Sequence, residues 1–206
     1  MIDKFCNFIT SKIKQNVEGI DEEKELIIDF GVKLLFGELP KILILFLIGF
    51  ILGIGWYTII LFFLLAPYRS FTGGFHLKTH LGCMITTTAL YAIPVLLANY
   101  FIISQNYFLY IFAAIVGIFS IVIIIKYAPA DTENMPILSK KEIKSKKIKA
   151  CIFLIFLLAI IILSPNKVIS YMLIYGMFLQ NLTVLPIAYK LTDNKHGYEV
   201  YTEESV

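Results

Sequence analysis

Residues 84–125 read MITTTALYAIPVLLANYFIISQNYFLYIFAAIVGIFSIVIII, 42 positions without one Asp, Glu, Lys or Arg. A bilayer core about 30 Å thick is crossed by roughly 20 apolar residues as a helix. The stretch is therefore long enough for two spans, about 84–103 and 107–125, joined at Ser104-Gln105-Asn106. Its apolar residues run on continuously, without the alternation of a membrane β-strand, so a β-barrel is excluded. Three further windows, 42–68, 150–166 and 168–189, are equally free of charge, and the four together make up about half of the 206 residues. Apolar residues are 58% of the chain and charged residues 16%, against roughly 45–50% and 25% in soluble domains. Mean hydropathy is +0.79. These values exclude a soluble enzyme, a disordered regulator and a nucleic-acid-binding domain. They predict an all-α, polytopic membrane protein forming one membrane domain over 1–206.

Working outward from 84–125, the next segment, 126–149, holds Lys126, Lys140, Lys141, Lys144, Lys146, Lys147 and Lys149. The positive-inside rule places this loop in the cytoplasm. Two spans earlier, the loop 67–83 then lies on the same side. A cytoplasmic N-terminal region requires 42–68 to cross an even number of times, so it reads as a hairpin with Gly53-Ile54-Gly55 at its outer turn. Each limb is short, and the helix before it has to extend the first one. Spans at 150–163 and 168–189, joined by Ser164-Pro165-Asn166-Lys167, bring the count to about six crossings. The bundle covers 41–190, and the polar tail 191–206 is cytoplasmic. Residues 1–40 lack the unbroken apolar core of a signal peptide. Within them, Asp21 to Leu39 reads as an amphipathic helix. Asp21, Glu22, Glu23 and Glu25 suit its positive end, and Leu26, Phe30 and Leu34 recur at helical spacing, with Ile27, Leu35 and Leu39 widening the stripe. No internal repeat supports an inverted-repeat transporter.

One segment departs from packing and lipid-facing residues: Pro67-Tyr68-Arg69-Ser70-Phe71-Thr72-Gly73-Gly74-Phe75-His76-Leu77-Lys78-Thr79-His80-Leu81-Gly82-Cys83. It contains the chain's single Arg, two of three His and one of three Cys. Gly73-Gly74 permits a sharp bend. Three readings compete. In the first, Cys83 is a nucleophile with a histidine base. A thiol reacts as thiolate, and nearby cations or a helix N-terminus favour that form. Arg69 adds charge or binds a substrate carboxylate. In the second, His76, His80 and Cys83, at i, i+4 and i+7, form part of a metal site that lacks an obvious fourth ligand. In the third, the segment is an ordinary loop with a buried cysteine. Helical spacing favours His80 over His76 as a partner of Cys83, because His76 lies two turns, about 10.5 Å, away along a helix axis. Cys6, Cys83 and Cys151 form no disulfide or zinc pattern.

Arg-Ser-Phe-Thr-Gly-Gly-Phe-His, with Cys seven residues later, closely resembles the signature of the AgrB family, the accessory gene regulator B peptidases. Tyr127-Ala128-Pro129-Ala130-Asp131-Thr132-Glu133-Asn134-Met135-Pro136-Ile137, followed by lysines, is similar to that family's loop after the middle spans. Met135 departs from it, standing where a basic or polar residue is usual. The resemblance covers nearly the whole chain. It implies a multi-pass cysteine endopeptidase of the bacterial cell membrane, with its active site near the cytoplasmic side. Such an enzyme cuts a small pheromone precursor peptide near its C-terminal part and keeps the N-terminal fragment as an acyl-thioester. An internal Cys or Ser of the peptide then closes a thiolactone or lactone used in quorum sensing.

By position, the resemblance makes Cys83 the nucleophile and His76 the base, supported by Arg69, Gly73 and Gly74. It selects His76 over His80. Asp131 is a candidate third member that orients His76, and Gln180 or Asn181 a candidate for the same role or for an oxyanion donor. No metal or other cofactor is expected. The expected partners are the precursor peptide and membrane lipids, with a homodimer as a candidate assembly and no nucleic acid. The competing function is a non-enzymatic transporter, or a scaffold that binds a metal or ligand through the 69–83 loop.

Overall fold

The computed structural model describes residues 2–17, 21–77, 79–103, 105–132, 136–137 and 139–197, with all their side chains except those of 2–5, 22, 23, 26, 30, 33, 34 and 80. The described residues are nearly all helical and form no β-strand. The helices are α1 (Ile2–Asn16), α2 (Glu22–Ile51), α3 (Gly55–Thr72), α4 (His80–Tyr100), α5 (Asn106–Lys126), α6 (Lys140–Leu163), α7 (Lys167–Leu182) and α8 (Pro186–Leu191).

The amphipathic stretch and the first limb of the 42–68 window are one helix. The Asp21 carboxylate caps α2 by accepting from the Lys24 N–H at 2.8 Å, and the helix continues through Pro40. Of the expected apolar stripe, Ile27, Leu35 and Leu39 are exposed, while Leu26, Phe30 and Leu34 lie outside the described side chains. The sequence reading missed α1. It packs on α2 through buried Cys6, a Thr10 hydroxyl donating to Asp29 at 3.2 Å, and a Lys14–Glu25 ion pair. The hairpin turn falls where it was expected. Gly53 has φ +74°, a conformation that costs glycine little. Gly49 brings the two limbs together, because a Cβ there would lie 3.0 Å from the Thr58 hydroxyl.

Two helical segments, Leu81–Tyr100 and Asn106–Lys126, are long and apolar enough to cross a membrane. On α5, Leu109, Ala113, Val116, Ser120 and Ile123 face inward, while Ile111, Ile115, Ile118, Val122 and Ile125 are exposed. An outer face of isoleucine and valine suits lipid rather than water. The chain is a helical membrane protein.

At the centre stands α7, packed against α3, α4, α5 and α6. Gly176 allows Leu61 and Leu65 of α3 to approach, since a Cβ there would lie 3.2 Å from each. Tyr68, Tyr91, Leu157, Tyr171 and Met172 complete this core. The α2–α3, α4–α5 and α6–α7 connections gather at one end, where Asn166 donates to the Tyr57 hydroxyl at 3.3 Å and the Tyr171 hydroxyl donates to the Ile103 carbonyl at 3.3 Å. At the opposite end meet the α3–α4 loop, the segment after α5 and the α7–α8 turn. Gly73 bridges to Ala130, and the Phe75 N–H donates to the Thr183 carbonyl at 3.2 Å.

Two expected loops are shorter than the sequence reading made them. Most of 67–83 consists of helix ends, leaving 73–79 as the connection. The lysines from Lys140 to Lys149 form the first turns of α6. The 168–189 window is likewise divided. α7 stops at Leu182, and Leu185, which precedes a proline, is extended (φ −67°, ψ 143°), as a following proline ring requires.

Candidate active site

The site is built on the end of α3. Gly73 (φ +74°) terminates that helix and Gly74 (φ +141°) turns the chain away. Both conformations are strained for residues with a Cβ. There is also no room for one: a Cβ on Gly73 would strike the Ala130 carbonyl, and one on Gly74 the Thr183 hydroxyl. The Ala130 N–H donates to the Thr72 carbonyl at 2.9 Å, and the Gly74 N–H donates to the Ala130 carbonyl at 3.0 Å.

Arg69 and Gln180 lock this turn. One Arg69 nitrogen, Nη1, donates to Gln180 Oε1 at 2.7 Å and to the Thr183 hydroxyl at 3.3 Å, while Nη2 donates to the Phe75 carbonyl at 3.1 Å. Gln180 Nε2 donates to the Gly73 carbonyl at 2.8 Å and to the Thr72 hydroxyl at 3.1 Å. Both ends of the Gln180 amide are thus occupied within the brace. Asn181 points elsewhere in the bundle. It accepts from the Tyr68 hydroxyl at 2.9 Å and donates to Ser120 at 2.6 Å, which satisfies a buried amide between three helices.

The braced turn delivers His76 to a cavity of about 440 Å³ lined also by Arg69, Gly73, Gly74, Tyr91, Asp131 and Lys146. His76 keeps an exposed surface and makes no hydrogen bond among the described residues. Desolvation of its ring, and then the Arg69 guanidinium, lower its pKa to about 4. The imidazole is therefore neutral at physiological pH and holds a proton less tightly than an ordinary histidine. Asp131 is buried in the cavity wall. Its Oδ2 accepts from the Ile137 N–H at 3.0 Å and its Oδ1 lies 3.3 Å from His196 Nδ1. His196 in turn stacks on Tyr189, whose hydroxyl donates to the Asp131 carbonyl at 3.0 Å. Asp131 therefore ties the wall to the C-terminal segment.

Cys83 lies in the first turn of α4, which Thr79 caps by accepting from the Gly82 N–H at 3.1 Å. Cys83 is half-buried, and its Sγ lies 3.5 Å from Lys41 Nζ. No hydrogen bond joins it to His76 among the described residues. The two share surroundings: Arg69 and Lys41 act electrostatically on both, and Glu38 acts on His76 and on Lys41. The structure thus gathers Arg69, Gly73, Gly74 and Gln180 into one hydrogen-bonded turn, puts His76 and Asp131 on the same cavity, brings Cys83 within electrostatic reach of Arg69, and leaves Asn181 apart. Sequence reasoning missed Lys41 and Glu38. Their one signal was an acid and a base three residues apart at the edge of the first charge-free window. Lys146, read there as a topology signal, lines the cavity. Among the described residues, no three His, Cys, Asp or Glu side chains gather as a metal site. Met135 and the His80 side chain lie outside the described residues.

No solved structure matches the chain. Sequence relatives do. A putative AgrB-like protein of Clostridium acetobutylicum is 25% identical over 198 residues, 95% of this chain and 91% of the relative. The accessory gene regulator protein B of Staphylococcus intermedius is 29% identical over 188 residues, 91% of this chain and 95% of the relative. That of Staphylococcus epidermidis is 28% identical over 197 residues, 95% of each. The sequence model of accessory gene regulator B matches residues 6–184, a span that includes Arg69, His76, Cys83, Gln180 and every helix that holds them, and the chain belongs to the accessory gene regulator B family.

Proposed function

We propose that the protein is a membrane cysteine endopeptidase of a quorum-sensing system. It cleaves the C-terminal part from a small pheromone precursor peptide and promotes closure of the remainder to a thiolactone or lactone. The observation that carries this reading is the braced turn. It holds a neutral imidazole on a cavity, and its Arg69, together with Lys41, acts electrostatically on both that imidazole and the thiol of Cys83 at the start of α4.

The chemistry runs in two halves. His76 takes the proton of the Cys83 thiol as the sulfur attacks the scissile carbonyl carbon. A C–S bond forms, and the carbonyl oxygen carries the negative charge. The C–N bond then breaks, and the leaving amine takes the proton from His76. In the second half, a Cys or Ser side chain of the retained fragment gives its proton to His76 and attacks the thioester carbon. The C–S bond breaks, the ring closes, and Cys83 leaves as a thiolate that takes the proton back from His76. Water would hydrolyse the same thioester, so a cavity enclosed by helix ends at the membrane boundary favours cyclisation. His76 and Cys83 are not hydrogen-bonded at rest, and catalytic contacts commonly tighten only once substrate is bound. Arg69 and Lys146 give the cavity cationic walls suited to a peptide carboxylate.

We further propose about six crossings. The end bearing Lys126, the α6 lysines and the cavity then faces the cytoplasm, by the positive-inside rule. In proteoliposomes with a synthetic precursor, Cys83→Ala is expected to abolish cleavage. His76→Ala should lower the rate by roughly 10²–10⁴-fold. Intact-mass analysis of quenched wild-type protein should show an adduct on Cys83 equal to the N-terminal fragment minus water. Cleavage by the Cys83→Ala protein would overturn Cys83 as the nucleophile, and a wild-type protein that leaves the precursor intact would favour a non-enzymatic binding role.

A further inference from the structure

Among the described residues, the Cys83 sulfur has a side-chain hydrogen-bond partner that is neither His76 nor Arg69. Lys41 Nζ lies 3.5 Å from Sγ, within hydrogen-bonding reach of sulfur. On its other side the same ammonium donates to Glu38 Oε1 at 2.6 Å, and the Lys41 side chain is only 11% exposed. Glu38 and Lys41 are three residues apart, so they share one face of α2. That face is aimed at the first turn of α4. Arg69, the other fixed cation nearby, directs its donors at Gln180, Thr183 and Phe75. Lys41 from α2 and Arg69 from α3 both act electrostatically on Cys83, Glu38 and His76 lie within electrostatic reach of those two cations, and among the described side chains it is Lys41 that makes a hydrogen bond to the sulfur.

We infer that Lys41 is a catalytic residue for the thiol chemistry: its ammonium donates to Cys83 Sγ and stabilises the thiolate, with Glu38 fixing its direction. The inference rests on the reading of Cys83 as nucleophile. It divides the work between two groups. His76 moves the proton, while Lys41 keeps its own proton and balances the charge on sulfur. That charge is present twice, before attack on the peptide and again when the thioester breaks and Cys83 leaves. Lys41 therefore assists ring closure as well as cleavage, because a better-stabilised thiolate is a better leaving group.

The test needs no peptide. The full chain in nanodiscs is treated with iodoacetamide at pH 7, and modification of each cysteine is followed by mass spectrometry. Lys41→Met and Lys41→Gln should each slow alkylation of Cys83 by about tenfold, as loss of an adjacent cation does for an activated thiol. Lys41→Arg, which keeps the charge, should stay within about threefold of wild type. Cys151 and buried Cys6 serve as internal references. A variant that exposes Cys6 has lost the α1–α2 packing, and the isosterically closer Gln variant then decides. Wild-type reactivity of Cys83 in the neutral variants would overturn the inference. So would an Arg variant as slow as Met, which marks a packing role. The two readings fail separately. A Cys83→Ala protein that still processes precursor removes Cys83 as the nucleophile but leaves the Lys41 effect on the thiol standing. An inactive Cys83→Ala protein together with indifferent Lys41 variants removes Lys41 alone.

Discussion

His76 illustrates how neighbours set the task of a single side chain. An ordinary imidazole titrates near 6.5, whereas desolvation and then the Arg69 guanidinium bring this one to about 4. Between those values an unfolded chain binds a proton here that the folded chain refuses. The folded state therefore loses stability as pH falls from 6.5 towards 4. For the reaction the consequence is the opposite of fragility. If His76 is the base, as proposed, it stays unprotonated in mild acid, and the acid limb of the kcat/KM profile is expected near pH 4 rather than 6.5. A profile measured in proteoliposomes checks this, and a limb at 6.5 contradicts it. Gly74→Ala is expected to reduce processing by at least about tenfold, because a Cβ both strains the backbone and meets Thr183. An immunoblot of precursor processing reads it directly. Gln180→Ala leaves the Gly73 carbonyl and an Arg69 donor unpaired, at a cost of about 1–3 kcal/mol. A lower unfolding temperature in detergent is the expected sign.

The elements were legible in the sequence to unequal degrees. Absence of charge marked α4 and α5 to within a few residues, since a long apolar run has one stable form in lipid. The glycines at 53–55 marked the turn between α2 and α3. The start of α6 was not legible. Lysines are compatible with loop and helix alike, and only the following apolar span shows that the helix began ten residues earlier. α1 was legible in principle, since Phe5, Cys6, Ile9 and Ile13 recur at helical spacing, but the sequence reading began its first helix only at Asp21. In the site, the residues from Arg69 to Cys83 stood out by being adjacent and chemically unusual. The roles of Gln180 and Lys41 did not, because each meets its partner only through tertiary contact, 111 residues from Arg69 and 42 from Cys83 respectively. Gly49 carries a prediction at this scale. Gly49→Leu should push α2 from α3 against the Thr58 contact, at a cost of about 1–3 kcal/mol for overpacking. The loss of folded protein is measurable by size-exclusion chromatography after heating.

At the scale of the molecule, the two ends of the bundle differ in kind. One holds the short turns near Gly53, Gln105 and Asn166. The other holds the cavity, the lysines of α6 and the segment that His196 and Tyr189 bind to Asp131. In the proposed orientation, the positive-inside rule puts the lysine-bearing end in the cytoplasm. In a chain with Cys6, Cys83 and Cys151 changed to Ser, a cysteine at position 53 should react with a membrane-impermeant maleimide added outside whole cells. One at position 139 should react only after the cells are opened. Reversed labelling would turn the bundle over, and labelling of both from outside would break the crossing count.

The brace on the catalytic turn has a bearing on biogenesis. Arg69 emerges early in translation, but the groups that hold its guanidinium, Gln180 and Thr183, are made more than a hundred residues later. Until α7 has been synthesised and inserted, the Gly73–Phe75 turn has no clamp, and a growing chain carries Cys83 without a finished site around it. The braced turn therefore closes only after α7 has been made, so the surroundings of Cys83 are completed late in synthesis.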